Sequence, residues 1–154
     1  MNHSNIILAG RAGVGKTHLA VATAIYAMKE EDRQARFRLV NELLDELRNA
    51  ARYTDYLEVI NSFKRVPCLI LDDLGKERVT DAGLDYLHQI VDYRYRYELQ
   101  TVVTTNALTV EELSSWGNAN FITPMVSRLL ENGEWVTIRN AEDYRVKIKK
   151  LQKA

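Results

Sequence analysis

Short apolar runs alternate with segments of helical pattern along the whole chain. We expect strands at five of these runs, residues 6–9, 37–40, 68–71, 101–105 and 135–138. Each run is too short for a buried helix, and longer segments with apolar residues three or four positions apart separate them. Strands that alternate with helices predict a parallel sheet covered by helices on both of its faces. The pattern therefore predicts an α/β three-layer sandwich around a five-stranded parallel sheet.

The intervening segments predict how the helices pack. The segment after residue 17 is apolar almost all round at its start, which is typical of a helix lying on a sheet. Residues 41–64 predict one long or two short amphipathic helices, ending before Pro67. Residues 84–97 and 124–130 are also expected to be helical. The expected apolar sides of 41–64 are Leu43, Leu44, Leu47 and Ala51, then Tyr56, Leu57, Ile60 and Phe63.

A complete G-x-x-x-x-G-K-[ST] loop connects the first predicted strand to the first predicted helix. This order of strand, glycine loop and helix start surrounds phosphates with backbone N–H groups and predicts a nucleoside triphosphate site. We expect Lys16 to reach the β- and γ-phosphates and the Thr17 hydroxyl to bind Mg²⁺. The loop consists of Gly10, Arg11, Ala12, Gly13, Val14, Gly15, Lys16 and Thr17.

Polar residues end two of the later predicted strands. Asp72 and Asp73 follow the apolar run 68–71, so a buried strand would deliver two carboxylates beside the phosphate loop. We expect Asp72 to bind Mg²⁺ and Asp73 to polarise the attacking water, unless the two aspartates simply cap the next loop. Asn106 follows the fourth strand, where it either orients the water or touches the γ-phosphate, or forms a turn.

Arg128 lies near the middle of the predicted helix 124–130. An arginine there is either a surface residue or one that reaches the nucleotide of a neighbouring protomer and stabilises the charge of the transition state. The residue types alone leave both roles open.

Composition narrows the class of protein. With 154 residues, 46% of them hydrophobic, the chain suits one domain with one core. Lysine plus arginine and aspartate plus glutamate number 21 each, so attraction to nucleic acid must come from local patches. The single cysteine, Cys68, lies in an apolar run and fits a reducing cytosol. Without an apolar stretch near the ~20 residues needed to cross a bilayer, we expect a soluble cytoplasmic protein with no membrane partner.

Several motifs in order resemble one known group, the AAA+ ATPases of the DnaC and DnaI type. These are bacterial and phage helicase loaders, and the IstB transposition helper ATPases are closely related to them. The resemblance rests on residues 10–20, 69–75, 91–96, 103–106, 127–129 and 143–145. It implies that Asn106 is the sensor 1 residue, that Arg128 is an arginine finger acting across a subunit interface, and that Arg145 corresponds to sensor 2. His18, directly after the phosphate loop, joins the expected nucleotide contacts.

The resemblance also implies an activity. We expect an ATPase domain over residues 1–154 that uses ATP and Mg²⁺ and hydrolyses slowly until an oligomer or DNA stimulates it. A guanine-reading motif is missing after Asn106, which favours ATP. The chain begins five residues before its first predicted strand, so a helicase-binding N-terminal domain, through which a replicative helicase would bind, is expected to be absent. A full helical lid is also not expected, because it needs another ~70 residues.

Candidate DNA contacts lie in three segments. Between the second and third strands, cations and aromatic rings are mixed in a way that suits phosphates and bases, although a solvated amphipathic face explains them equally well. Residues 93–97 also alternate rings with charge, but packing explains them better. The tail 145–150 either touches nucleic acid or protects the sheet edge. The first group is Arg48, Arg52, Tyr53, Tyr56, Lys64 and Arg65.

Four functions remain on this basis. The preferred one is a loader ATPase that assembles on single-stranded DNA as a homo-oligomer through Arg128. The alternatives are an IstB-like regulator of a transposase on duplex DNA, a small-molecule P-loop kinase, and a nucleotide-dependent scaffold without hydrolysis. The sequence does not name the partner, the oligomer size or the preferred form of DNA.

Overall fold

A computed structural model describes residues 5–53, 55–76 and 78–139. Its five strands form one sheet in the order β2-β3-β4-β1-β5, and every neighbouring pair is parallel. This confirms the predicted sheet. The strands are β1 Asn5–Gly10, β2 Ala35–Leu39, β3 Cys68–Leu74, β4 Gln100–Thr105 and β5 Gly133–Ile138. The helices are α1 Lys16–Glu30, α2 Val40–Arg52, α3 Tyr56–Arg65, α4 Asp81–Arg96, α5 Val110–Ser114 and α6 Ala119–Glu131.

Helices cover both faces of the sheet, as the alternating pattern predicts. On one face α1 lays Ala20, Ala24 and Ala27 against the strands, where Ile70 and Val102 belong to the same cluster. The larger core on the other face is built from α2 to α6, with the side chains of alternate strand residues between them. Because helices cover both faces of these central strands, β3 and β4 are buried along almost their whole length.

The first helix lies on the sheet, as predicted, and only one stripe of it is buried. Its contact with the sheet is a narrow stripe of alanines, spaced four and three residues apart, as one face of a helix requires. Leu19 and Ile25 lie off that stripe and are 50% and 42% exposed. The helix thus lies on the sheet and buries only the stripe that faces the strands, although its sequence is apolar almost all round at its start.

The segment 41–64 forms two helices, and its buried stripes differ from the prediction at two positions. Ala50 is buried while Ala51 is exposed, because the stripe through Leu47 continues three residues on. In α3 the buried residues are Ile60 and Phe63, and Leu57 is 70% exposed. The other expected core leucines of α2 are buried.

Two helix starts also differ from the prediction. The α4 helix begins at Asp81, capped by the Thr80 hydroxyl, which accepts the N–H of Gly83. The α6 helix begins at Ala119, and Pro124 lies inside it. Sequence patterns place a proline at a helix start, whereas here the Asn118 side chain caps the helix one and a half turns earlier.

None of the described helices is long and apolar enough to cross a membrane.

Candidate nucleotide-binding site

The phosphate loop turns between the end of β1 and the first residue of α1. Gly13 and Gly15 have φ angles of 80° and 95°, a region that L side chains rarely adopt. At Gly10 a Cβ atom would lie 3.0 Å from the backbone oxygen of Ile138. Glycine is thus required both by the turn and by the close approach of β5. Arg11 and Ala12, at the tip of the loop, are exposed.

Lys16 holds its ammonium group inside this loop. Its Nζ donates to the backbone oxygens of Gly10 and Arg11, both at 2.9 Å, and to Oδ1 of Asn106 at 3.0 Å. The residue is only 6% exposed. The strand that ends at Thr105 therefore brings Asn106 to the phosphate loop, as predicted from its position after β4. His18 is exposed in the first turn of α1.

The hydroxyl of Thr17 and the carboxylate of Asp72 lie together at the same edge of the sheet. Thr17 Oγ1 donates to Asp72 Oδ1 at 3.0 Å and lies 3.2 Å from Oδ2. Neighbouring oxygens of an octahedral Mg²⁺ site are about 3 Å apart, given metal–oxygen distances of about 2.1 Å. Hard oxygen donors at this spacing fit Mg²⁺, which would take its remaining ligands from water and phosphate.

Thr104 is a site residue that the sequence analysis did not single out. Its Oγ1 donates to Asp72 Oδ1 at 2.6 Å and accepts the backbone N–H of Asp73 at 2.9 Å. The side chain is fully buried. A polar residue at an inward position of a buried strand, two residues before Asn106, was the signal available in the sequence.

Asp73 points away from its neighbour Asp72. Its φ is 62°, and the pairing of β3 with β4 shifts register between Leu71 and Leu74, so the strand carries a bulge there. The Asp73 carboxylate pairs through Oδ2 with Lys76 at 3.0 Å. The bulge thus gives the two adjacent acids different surroundings.

A cavity of about 340 Å³ lies beside Asp73. Three cations line it, Arg48 from α2 together with Lys76 and Arg78 from the loop after β3. Trp116 lines the same cavity and packs against the core. Lys76 and Arg78 were not among the predicted DNA contacts, although their positions shortly after the strand-end acids place them at this edge.

The predicted DNA contacts of α2 and α3 do not form one cluster. Tyr56 packs against Tyr86, with ring centroids 5.5 Å apart, and its hydroxyl bonds to Gln89. Arg65 lies near the start of β3, at the opposite end of that strand from Asp73. Arg48 alone of this group lines the cavity beside Asp73. Burial and the nearby Arg96 lower the pKa of Lys64.

The alternating segment 93–97 packs only in part as expected, since Arg94 is buried while Arg96 and Tyr97 are exposed. Arg94 is 1% exposed and donates to the Thr101 hydroxyl and to backbone oxygens of the chain that enters β3 and β4. Burial lowers the pKa of its guanidinium to about 9, which leaves the group charged at neutral pH. Tyr93 stacks on Tyr97 with ring centroids 4.4 Å apart.

Arg128 lies near the N-terminal ends of the strands, whereas the phosphate loop lies at their C-terminal ends. It occupies the last turn of α6, which leads directly into Gly133 at the start of β5, whereas Thr17 and Asp72 lie where strands end. Six residues of strand span about 20 Å. The structure therefore does not bring Arg128 to the nucleotide site of its own chain. Arg145 and the tail 145–150 lie outside the described residues.

A family model described as "IstB-like ATP binding protein" matches residues 1–152. The chain belongs to this family. The chain is therefore an ATP-binding IstB-like domain with an AAA+ fold, and this family supports ATPase activity in general.

Individual relatives fall into two functional groups. The Insertion sequence IS5376 putative ATP-binding protein of Geobacillus stearothermophilus is 28% identical over 148 residues, which are 96% of this chain and 58% of the relative. A solved DnaC helicase loader is 28% identical with a TM-score of 0.78, covering 90% of this chain and 79% of that one. The replication initiator DnaA bound to AMPPCP and single-stranded DNA is 22% identical with a TM-score of 0.74, over 97% of this chain and 45% of that one, and shows the fold alone. The chain spans just over half the length of its insertion-sequence relative.

Proposed function

We propose that this family member is the ATP-hydrolysing domain of a helicase-loader type of assembly on single-stranded DNA, in which each protomer supplies Arg128 to its neighbour. One observation carries the proposal. Lys16, Thr17 and Asp72 converge at one edge of the sheet, while Arg128 lies at the other edge of the same chain. Within the described residues, the proposed phosphate- and metal-binding groups lie at one end of the strands and Arg128 lies at the other, an arrangement that suits head-to-tail assembly.

The described side chains divide the work of hydrolysis. The glycine loop binds the phosphates, and Lys16 transfers its bonds from Gly10 and Arg11 to the phosphate oxygens. Thr17 and Asp72 would hold Mg²⁺, which neutralises charge on the phosphates. We assign water activation to Oδ1 of Asp73, since Lys76 engages Oδ2. We propose ATP rather than GTP as the nucleotide because the guanine-reading motif is missing after Asn106.

The three cations beside Asp73 supply the DNA side of the proposal. Arg48, Lys76 and Arg78 line a cavity together with Trp116, Asp45 and Asp73, and cations beside an aromatic residue suit phosphates and an unstacked base. Lys76 also belongs to the ion pair with Asp73, so a DNA phosphate that attracts Lys76 changes the charge around the hydrolytic carboxylate. Stimulation of hydrolysis by DNA follows from that shared lysine.

A second candidate is a regulator of a transposase on duplex DNA. The match of residues 1–152 to the IstB-like family favours it, as does the insertion-sequence relative that covers 96% of the chain. Both candidates use the same ATP site and the same trans-acting arginine. They differ in the form of DNA that stimulates hydrolysis.

The ATPase rate per subunit, measured against protein concentration, tests the common mechanism. For the unmodified chain we expect the rate to rise with concentration and with added DNA, and Arg128→Ala to remove that rise. Equal stimulation by single- and double-stranded oligonucleotides of one sequence, or stimulation by duplex only, moves the transposase regulator ahead. A rate that is independent of concentration and unchanged in Arg128→Ala overturns the interprotomer mechanism.

A matched pair of charge reversals tests the DNA surface. Arg78 and Arg65 are both exposed arginines, but only Arg78 lines the cavity beside Asp73. We expect Arg78→Glu to weaken binding of a labelled oligonucleotide about tenfold or more and to flatten its salt dependence, while Arg65→Glu changes affinity about twofold at most. Equal losses in the two variants contradict a DNA site at this cavity.

A further inference from the structure

Arg128 is held by two side chains of the neighbouring helix. Its Nη1 lies 2.7 Å from Nε2 of His88, and its Nη2 lies 3.0 Å from Oδ1 of Asp92. A guanidinium has no acceptor, so the His88 nitrogen in this contact is the unprotonated one. Arg128 is 28% exposed in its side chain, so the head group is held at the surface rather than hidden.

The two holding residues stand on a rigid base. His88 and Asp92 are one turn apart on α4, and the residues between and beside them, Leu87, Ile90 and Val91, are buried in the core. The ring of His88 also lies edge-on to Phe121 of α6, with centroids 6.4 Å apart. Since α4 and α6 share one packed core, the anchors of Arg128 are fixed relative to the helix that carries it.

The contacts leave the guanidinium able to bind a further anion. Arginine has five N–H groups, and the bonds to His88 and Asp92 use one on each terminal nitrogen. A free arginine side chain loses rotamer entropy when it is ordered. Ordering Arg128 before a neighbour arrives removes part of that cost from the interprotomer step.

We propose that His88 and Asp92 are positioning residues that hold Arg128 in the orientation it needs at the neighbouring protomer's nucleotide. This inference rests on the proposed interprotomer function. Asp92 fixes one terminal nitrogen by charge, and His88 fixes the other as a neutral acceptor. Arg96, which pairs with the second oxygen of Asp92, is 65% exposed in its side chain and only supports the carboxylate from outside.

Mixed assemblies of two variants of the full chain separate the donor of the arginine from its recipient. Lys16→Ala subunits keep Arg128 but have an impaired nucleotide site, and Arg128→Ala subunits have the reverse. We expect the mixture to hydrolyse ATP faster than either variant alone. A mixture no faster than its components, although it sediments as an assembly, overturns the interprotomer function and this inference with it.

The inference itself is tested by adding substitutions to one partner at a time. Asp92→Asn or His88→Ala in the Lys16→Ala donor is expected to lower kcat of the mixture about tenfold with little change in KM for ATP. The same substitutions in the Arg128→Ala recipient should be silent, because that subunit supplies no arginine. His88→Gln in the donor should restore the rate, since its amide oxygen accepts an N–H.

Arg96→Ala in the donor serves as the matched control and should stay within about twofold of the parent mixture. Assembly is followed by sedimentation and folding by thermal melting, so that only folded, assembled donors are compared. If the mixture works but the donor substitutions leave kcat unchanged, the positioning role is wrong while the interprotomer function stands. A higher kcat with Asp92→Asn also contradicts it, because it would mean that α4 restrains Arg128.

Discussion

The hydroxyl of Thr104 lies 2.6 Å from Oδ1 of Asp72 and is fully buried beside it. Through the same oxygen it accepts the N–H of Asp73, a residue with φ of 62°. One side chain on β4 thus fixes both the direction of the Asp72 carboxylate, the proposed Mg²⁺ ligand, and the backbone of the next acid. The positions of Asp72 and Asp73 therefore depend on a residue to which the proposed mechanism gives no contact with phosphate or metal.

Replacement of Thr104 by valine tests this dependence. Valine keeps the shape but removes the donor to Asp72 and the acceptor for Asp73, so we expect a loss of about 1–3 kcal/mol in the free energy of unfolding. The ATPase kcat should fall about tenfold, because the carboxylate loses its orientation. Urea unfolding and steady-state kinetics measure the two effects.

Thr104→Ser is the control for that experiment, since it keeps the hydroxyl and loses only a methyl group. It should retain most of kcat and lose less stability than the valine variant. A valine variant with unchanged kcat would show that Asp72 is oriented without help from β4.

Cys68 gives a probe of unfolding that needs no substitution. The thiol is fully buried in β3, and burial raises its pKa, with the cations of Arg33 and Arg94 opposing that shift only in part. At pH 8 a smaller fraction of the Cys68 thiol is therefore ionised in the folded protein than in an unfolded chain. The folded protein also gives a thiol reagent no path to the sulfur. We expect labelling by a thiol reagent to be slow in buffer and fast in concentrated urea.

Added ATP and Mg²⁺ should slow the labelling in buffer further, because a ligand that binds only the folded state lowers the unfolded population. Lys16→Ala provides the comparison and should show little ligand effect. Fast labelling of the folded protein would contradict the buried position of Cys68.

The positions of the strands and of the phosphate loop could be predicted because each depends on nearby residues. An apolar run, a glycine loop with its lysine, and two acids at a strand end carry their structural meaning within about ten residues. The contacts of Asn106 with Lys16 and of Thr17 with Asp72 follow once parallel strands end at one edge.

The features that the sequence did not predict depend on contacts between segments that are far apart along the chain. The bulge that separates Asp73 from Asp72 arises in the pairing of β3 with β4, and the cation cluster joins Arg48 to residues thirty positions later. The pairing of Arg128 with His88 likewise depends on how α6 packs on α4. Periodicity within one segment contains no information about such contacts between segments.

The contribution of the buried cation Arg94 to stability can also be tested directly. Its guanidinium donates to the Thr101 hydroxyl at 2.9 Å and to the backbone oxygens of Phe63 and Val66 at 3.1 and 2.7 Å. Further bonds go to the backbone oxygens of Lys64, Pro67 and Gln100. The Arg94 side chain thereby links the C-terminal end of α3 to the starts of β3 and β4.

Arg94→Leu keeps an apolar stem but leaves these oxygens buried without donors. Each such group costs about 1–3 kcal/mol, so with partial relaxation we expect a total loss of about 3 kcal/mol or more in the free energy of unfolding. Arg94→Lys keeps the charge with three donors in place of five and should fall between leucine and the parent. Arg96→Ala, two residues away on an exposed ion pair, should lose about 0.5 kcal/mol or less. Urea unfolding followed by circular dichroism ranks the stabilities of the three variants. An Arg94→Leu protein as stable as Arg96→Ala would mean that the packing at the starts of β3 and β4 does not depend on the Arg94 guanidinium.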